Sequence, residues 1–211
     1  MTIDCNQNLH LKDTKFSMLI KNSDKKAIQA LNFFASKAGG KINRMKAIKL
    51  IWLSDRAHLR KYGRPILSDK YYAIKLGPIP SKTKNFSEAE GLMSDEVKTY
   101  RNNNIEPVGQ NEFKSLAAPD MNVFSQSDIE TMEKIFATFG HYDKYRLSNL
   151  SHKFPEWKKY ENFLKVNVTG RKRMSFDDFF KDTPESSEYF TESEELLNLS
   201  KEVFEDGCTI S

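Results

Sequence analysis

The sequence predicts a mainly α fold of the α+β type, a single helical domain with a small antiparallel β-sheet or hairpin. Two observations predict the helices. Apolar residues recur at helical spacing in several segments, and capping residues and glycines mark where these segments begin and end. A third observation predicts the sheet, because only short stretches are rich in β-forming residues. The length of 211 residues is enough for one well-buried core, so a single domain is expected.

We divide this domain into three segments. Residues 1–22 form a polar, irregular N-terminal segment, in which the short apolar run 16–20 is a candidate edge strand. Residues 23–160 form the main body of the domain. Residues 161–211 comprise a basic connector and an acidic C-terminal helix that packs on the same domain.

Composition predicts a soluble globular protein, since 38% of the residues are hydrophobic and 29% are charged. No apolar run reaches the length of a membrane span, and the N-terminus lacks a signal-peptide pattern. We therefore expect a cytoplasmic protein without a membrane partner. Cys5 and Cys208 are too few for a disulfide framework, and no cysteine or histidine pair has zinc-ligand spacing. No metal and no cofactor are expected.

Two helices are predicted before residue 64. Ser23 is the expected cap of the first, and two consecutive glycines end it. The second begins after Asn43, and its central residues are apolar nearly all round, which is typical of a helix buried at its centre. It runs to Tyr62 and ends at Gly63, with Pro65 just beyond.

A strand and a turn follow. Residues 71–76 are rich in β-forming side chains, and the sequence Gly-Pro-Ile-Pro at 77–80 turns the chain. Ser81 is the expected cap of a third helix. Residues 97–108 predict a hairpin, because the three asparagines at 102–104 tolerate the left-handed backbone of a tight turn.

Three more helices are predicted in the second half. Ser125 and Asp128 form a start that resembles a capping box, for a helix that ends at Gly140. A further helix is expected at 143–153, and a last amphipathic helix at 193–204. The connector between these two includes the basic stretch 162–174 and three anchoring phenylalanines, Phe176, Phe179 and Phe180.

Charge is segregated along the chain. Residues 37–84 contain 13 Lys and Arg against two acidic residues, whereas residues 176–211 contain two lysines against 11 acidic residues. One interpretation is two solvated faces that cancel through space. The other is a basic surface for an anionic partner, which the acidic tail is able to shield.

Asp55 stands in an apolar stripe of the second helix, so its carboxylate must be paired. We expect it to accept hydrogen bonds from His58, from a basic side chain or from a tyrosine hydroxyl. A catalytic dyad of Asp55 and His58 is a remote alternative, because the sequence nominates no nucleophile or second carboxylate. Phosphate-binding, dinucleotide-binding, hydrolase and zinc-protease motifs are absent. We therefore assign no catalytic residue and expect a protein that is not an enzyme.

The second helix also carries a row of arginines. Trp52 and Arg56 lie one turn apart, so the guanidinium is expected to stack on the indole. Arg56, Arg60 and Arg64 could line one edge that grips a phosphate or a carboxylate, or they could form a solvated flank. Aromatic residues interleaved with lysines also suggest a nucleic-acid surface: Tyr62, Tyr71 and Tyr72.

An ordered series of motifs resembles the Panacea or SocA-like antitoxin domain found in bacteria, phages and prophages. The series is KLIWLSDRAHL at 49–59, YGRPI at 62–66, DKYYA at 69–73 and GPIPS at 77–81. A second set follows, with SQSD at 125–128, LSNLSH at 147–152 and PEW at 155–157. The resemblance covers about residues 25–160. The chain departs from the commoner pattern at 67–68, where Leu-Ser replaces a frequent Thr-Gly pair.

The resemblance implies a non-enzymatic antitoxin of a toxin–antitoxin system, which neutralises a toxin encoded beside it by direct protein–protein binding. In one branch the member is instead an adaptor that delivers its toxin to a protease. Family toxins are diverse, so the resemblance does not identify the toxin. A nucleic-acid-binding regulator that uses the basic face, alone or in complex with the toxin, remains a different class of function.

Two sets of residues follow from these expectations, one for toxin binding and one for the shape of the motif. The candidate toxin-binding residues are Arg56, Arg60, Arg64, Tyr72 and Lys75. The residues expected to shape the motif are Trp52, Asp55, His58, Tyr62, Gly63, Pro65, Gly77, Pro78 and Pro80.

Overall fold

The computed structural model describes residues 20–182, residue 190 and residues 192–209, and the candidate edge strand at 16–20 lies largely outside them. The helices are α1 (Asn22–Lys37), α2 (Arg44–Tyr62), α3 (Ser81–Glu88), α4 (Asp95–Asn104), α5 (Gln126–Phe139), α6 (Lys144–Ser151), α7 (Pro155–Lys158), α8 (Glu161–Val166) and α9 (Glu194–Thr209). The strands are β1 (Lys41–Asn43), β2 (Tyr71–Ile74), β3 (Gly77–Pro80), β4 (Ile105–Val108), β5 (Glu112–Ser115) and β6 (Lys172–Arg173). Two short 3-10 turns, Met121–Val123 and Phe176–Phe180, complete the elements. The predicted mainly α fold is confirmed.

The strands form two small antiparallel sheets. One has the order β1-β5-β4 and the other has the order β3-β2-β6. In the second sheet, Tyr72 of β2 lies opposite Arg173 of β6 and opposite Ile79 of β3. The turn predicted at 77–80 is wrong, because these residues form β3 and the chain turns just before them, at Lys75 and Leu76. The basic connector ends as an edge strand on the other side of β2.

Helix α2 is the centre of the fold and packs against α1, α5, α6 and α9. Its boundaries are those predicted. The Asn43 side chain accepts hydrogen bonds from the backbone N–H groups of Met45 and Lys46. Gly63 closes the helix in the left-handed conformation, with φ of 68°. A Cβ atom at Gly63 would lie 2.6 Å from the carbonyl oxygen of Ser200 in α9, so only glycine permits this packing.

The hairpin predicted at 97–108 is wrong. The Ser94 side chain caps α4 by accepting from the N–H of Val97, and the helix continues through the three asparagines to Asn104. Val97, Arg101 and Asn104 are buried at helical spacing, so packing against the core outweighs the turn preference of asparagine. Only β4 belongs to a hairpin, and its partner is β5.

Two predicted helix caps are also wrong. Helix α1 begins at Asn22 after Lys21, without a side-chain cap, so Ser23 is inside the helix. Ser81 is the first residue of α3 rather than its cap. The side chain of Asp69 does the capping there, because its oxygens accept from the N–H groups of Lys82 and Thr83 at 3.1 and 2.8 Å.

The capping box of α5 is present, with Ser125 and Asp128 each accepting from the other's backbone N–H. Helix α6 follows its Asp143 cap, and α9 covers the predicted last helix and extends beyond it. Over the ranges described, no helix combines the length and the apolar character needed to cross a bilayer. The same residues hold no cluster of side chains suited to a metal ion.

Candidate functional site

Asp55 organises the turn between α2 and β2. Its Oδ1 accepts hydrogen bonds from the N–H groups of Ile66 and Leu67 at 2.9 and 3.0 Å, and its Oδ2 accepts from the Tyr71 hydroxyl at 2.7 Å. The tyrosine hydroxyl is thus the partner found among the three that the sequence allowed. Burial raises the pKa of Asp55 to about 7, against the effect of the three donors. The Asp55 carboxyl group therefore holds the backbone of this turn in place and is buried beneath it.

His58 is buried, and its hydrogen bonds lead away from Asp55. Its Nδ1 lies 2.7 Å from the carbonyl oxygen of Arg64, and its Nε2 lies 3.0 Å from the Ser127 hydroxyl. The His58 ring also packs on Tyr62, with ring centroids 4.6 Å apart. Burial lowers the pKa of His58. These contacts join α2 to the start of α5, and they leave no hydrogen bond for an Asp55–His58 dyad.

Arg56 lies inside the protein and not on a binding edge. The side chain is 0% exposed, and its Nε donates to Glu156 at 3.0 Å. The guanidinium lies 4.6 Å from the Phe154 ring centroid rather than on Trp52, whose ring meets Phe154 edge-on. The expected stack on the indole is therefore wrong, because Phe154 and Phe190, from distant parts of the chain, supply the rings near the guanidinium.

Arg60 is also buried, at 1% exposure. Its Nη1 donates to the carbonyl oxygens of Phe179, Phe180 and Lys181 at 3.1, 2.6 and 3.1 Å, and its Nη2 binds Asp182 at 2.5 Å. The expectation that Arg60 faces solvent is wrong. The C-terminal segment covers this side of α2, and Arg60 satisfies its carbonyl groups.

Lys49 explains why a glycine and a proline begin β3, directly after the turn at Lys75 and Leu76. This buried lysine donates from Nζ to the carbonyl oxygen of Pro78 at 2.7 Å. Gly77 has φ of 100°, and a Cβ atom there would lie 2.6 Å from the Lys49 Nζ. Trp157 holds the other side of the turn by donating from Nε1 to the carbonyl oxygen of Ile74 at 2.8 Å. Pro65 and Pro80 are buried nearby in the same motif.

The remaining candidates lie at the surface but not together in one row. Arg64 is 44% exposed, and its guanidinium binds the buried Asp128 at 2.9 Å. Tyr72 is half-buried on β2, and Lys75 is exposed just after that strand. The arginine row predicted along α2 is therefore reduced to Arg64, while Tyr72 and Lys75 belong to the second sheet.

Sequence reasoning missed the residues that surround Tyr72. The guanidinium carbons of Arg171 and Arg173 lie 4.9 and 5.7 Å from the Tyr72 ring centroid. We call the exposed surface of Lys70, Tyr72, Arg171 and Arg173 the basic face. None of its three cations has a carboxylate partner among the described residues. The sequence signal for this basic surface is the run Arg-Lys-Arg at 171–173, which lies inside the stretch interpreted as a basic connector.

A family model described as "Antitoxin SocA-like, Panacea domain" matches residues 48–158, which is more than half of the chain. The chain therefore belongs to this family. The match begins inside α2 and includes the Asp55 network, the Gly77–Pro78 start of β3 and the buried Glu156. No curated protein and no solved structure matches the chain. Family membership supports an antitoxin role at the level of the family.

Proposed function

We propose that this protein is an antitoxin that neutralises a toxin encoded beside it by binding that toxin directly. Family membership carries the proposal. The buried state of the polar motif agrees with a binding scaffold, because Asp55, Arg56, His58 and Arg60 all have structural partners inside the fold. The toxin must then contact groups that the motif leaves at the surface.

The basic face supplies such groups. The guanidinium groups of Arg171 and Arg173 lie close to the Tyr72 ring, and Lys70 precedes the same strand. An aromatic ring beside two arginines combines apolar contact area with charge, and tyrosine and arginine are enriched at protein interfaces. Because these cations lack carboxylate partners among the described residues, they fit an acidic surface on the toxin.

The test combines growth rescue with co-purification. The adjacent open reading frame is expressed with the wild-type protein or with the double variant Arg171→Glu and Arg173→Glu. We expect the variant to weaken the complex at least about tenfold, because each reversal turns attraction for an acidic patch into repulsion. Full rescue by the variant would remove the basic face from the interface. An adjacent frame that is not toxic would contradict the antitoxin proposal itself.

The matched control is Lys98→Glu with Lys134→Glu. Both lysines are exposed on other helices, and neither has an ion-pair partner among the described residues. The control keeps the same change of net charge and should leave the complex intact. Equal weakening by both pairs would indicate a general charge effect rather than a specific contact.

A nucleic-acid-binding regulator is the second candidate, and the two arginines beside the Tyr72 ring favour it. Aromatic rings and arginines are the groups on which single-stranded bases stack. This function predicts binding of DNA that weakens steeply with salt and that the Arg171 and Arg173 reversal abolishes. Electrophoretic mobility of labelled DNA, with and without the toxin, separates this function from toxin binding alone.

An adaptor that delivers the toxin to a protease is a third form of the proposal. Direct neutralisation predicts rescue of growth in cells that lack the protease, with toxin levels unchanged. Delivery predicts that rescue disappears in the same cells. Toxin half-life, followed by immunoblot after synthesis is stopped, distinguishes the two.

A further inference from the structure

A cavity of about 430 Å³ lies beside the N-terminal half of α2. It opens to solvent and is bordered by the β2–β3 hairpin, the end of α3, the β4–β5 loop and the start of α6. No residue of the basic face lines it, so it is a separate feature of the molecule. Its volume is within the range of about 300–1,000 Å³ that is usual for sites of small organic ligands.

One part of the cavity wall is apolar. Ile48, Ile74 and Ile79 lie in it, and two large exposed side chains, Leu76 and Tyr145, stand at its border. Leu76 is 49% exposed and Tyr145 is 63% exposed, so both present apolar surface to the solvent of the cavity. An apolar ligand body would remove this surface from water.

The other part of the wall is cationic. Arg44, Lys49, Lys84 and Lys144 line the cavity against a single carboxylate, Glu88. That carboxylate already pairs with Lys84. Arg44, Lys49 and Lys144 have no carboxylate partner anywhere in the ranges that the structure describes. The cavity thus has an excess of positive charge beside an apolar surface.

The Arg44 guanidinium has donors to spare. Its Nη1 donates to the Gln110 carbonyl, and it pairs with no carboxylate of the described residues. A carboxylate bound in the cavity would accept charge-assisted hydrogen bonds from this guanidinium. Lys144 also lines the cavity and would add a second cation. Lys49 adds little, because it is 1% exposed, it already donates to the Pro78 carbonyl, and burial lowers its pKa well below the ordinary value.

We propose that this cavity binds an organic acid with an apolar body and a single carboxylate. The apolar wall holds the body, and Arg44 and Lys144 hold the carboxylate. Such a carboxylate has two sources, a free small acid or the C-terminal carboxylate of a protein chain that ends in an apolar residue. Both present the same chemistry, so the experiment has an arm for each.

The test uses the full chain with isoleucine δ-methyl groups labelled for NMR. Hydrocinnamate is the probe, and the uncharged hydrocinnamamide is its matched partner. We expect hydrocinnamate to shift the methyl signals of Ile48, Ile74 and Ile79 in a saturable way, and to leave that of Ile28 in the core of α1 unchanged. The amide should bind at least about tenfold more weakly, because it cannot make charge-assisted hydrogen bonds.

Variants of the cavity then test whether its cations cause the preference for the acid over the amide. Arg44→Gln and Lys144→Gln should each reduce the ratio of acid to amide affinity severalfold, while the unliganded methyl spectrum keeps its dispersion. Lys98→Gln, which lies outside the cavity, should change neither affinity. Equal binding of acid and amide, or shifts spread over methyl groups outside the cavity, would overturn the proposal.

The second arm identifies the source of the carboxylate. Acetyl-glycyl-phenylalanine presents the same phenyl group and carboxylate at a peptide C-terminus, and its C-terminal amide is the control. Tighter binding of the peptide acid than of hydrocinnamate assigns the cavity to a protein C-terminus. Tighter binding of hydrocinnamate assigns it to a free acid. This result does not depend on the toxin, so it can fail while the antitoxin proposal stands.

Discussion

Single residues explain why the motif has its composition. Asp55 receives three hydrogen bonds and sets the path from α2 to β2, while Asp69 caps α3 in the same way. Lys49 and Gly77 form a matched pair, because the lysine amine occupies the space that a β-carbon would need. These residues act on the backbone of the scaffold, and their side chains are buried.

Asp55 should give the protein a distinctive pH dependence. Its pKa is about 7 in the folded state, above the ordinary aspartate value of 3.8. Between these values the folded state binds more protons than the unfolded state, so stability falls as pH rises and levels off above pH 7. The isosteric Asp55→Asn cannot ionise. Its Oδ1 can still accept from the N–H groups of Ile66 and Leu67, whereas its Nδ2 would donate to the Tyr71 oxygen instead of accepting from it. We expect the difference in free energy of unfolding between wild type and Asp55→Asn to shift by about 2–3 kcal/mol against the wild type as the pH rises from about 5 to 8.

The comparison with the asparagine variant is needed because His152 acts in the opposite direction. Burial, reinforced by Lys49, lowers the pKa of His152 to about 4, so its contribution to stability is lost as pH falls below its ordinary value of 6.5. That contribution is the same in both proteins and cancels in the difference. Urea unfolding followed by circular dichroism at each pH gives the two curves. A difference that does not vary with pH would contradict an elevated Asp55 pKa.

At the scale of elements, α2 holds the C-terminal segment to the rest of the fold. Arg56 and Arg60 lie about a hundred or more residues along the chain from their partners. Arg56 binds Glu156, and Arg60 binds carbonyl groups at the end of the 3-10 turn Phe176–Phe180. The cations that the sequence offered as a binding edge are therefore internal ties between elements. Among the described residues, the C-terminal segment binds these two arginines through three backbone carbonyl oxygens and one carboxylate, that of Asp182.

Removing the Arg60 guanidinium should destabilise the protein. Arg60→Met retains the length of the side chain but removes the donor of the Phe179 and Phe180 carbonyl oxygens, while Arg56 still donates to that of Lys181. We expect a loss of about 2–4 kcal/mol in the free energy of unfolding. The matched control Lys98→Met removes an exposed charge and should change stability by less than about 0.5 kcal/mol. Urea titration measures both. A loss no larger than that of the control would mean that water replaces the guanidinium at no cost.

At the scale of the whole molecule, α9 completes the core around α2. Leu197 and Ser200 are buried, and the backbone of α9 meets Gly63 directly. This packing changes the interpretation of the charge segregation. The acidic tail does not lie as a free shield over an arginine row, because two of the three arginines are inside the fold. The basic face is formed by the second sheet instead.

Truncation after Asp182 should therefore unfold or strongly destabilise the protein. It removes α9 and exposes the face of α2 around Gly63 to water. We expect a lower thermal midpoint and increased binding of a hydrophobic dye, not merely stronger retention on heparin. Adding a synthetic peptide of residues 190–211 should restore part of the midpoint. A truncated protein with an unchanged midpoint and increased heparin retention would support the shield instead.

The sequence by itself determined the parts of this protein that depend on near neighbours along the chain. Asn43 and Gly63 define α2, Ser125 and Asp128 define the start of α5, and the motif series predicts the family to which the chain belongs. These features are encoded within a few residues, because a cap bonds to the next turn and a helix face repeats every three or four positions. The local sequence pattern is therefore sufficient to predict such contacts.

Only the tertiary structure decided the burial of Arg56 and Arg60, the cap of α3 by Asp69 and the position of Arg171 and Arg173 beside Tyr72. It also decided that the asparagines before Ile105 end a helix. Each of these depends on partners brought together from distant positions. An arginine on a helix has the same local sequence whether a remote segment supplies carbonyl oxygens for it or leaves it in water, and only the fold determines which of the two occurs.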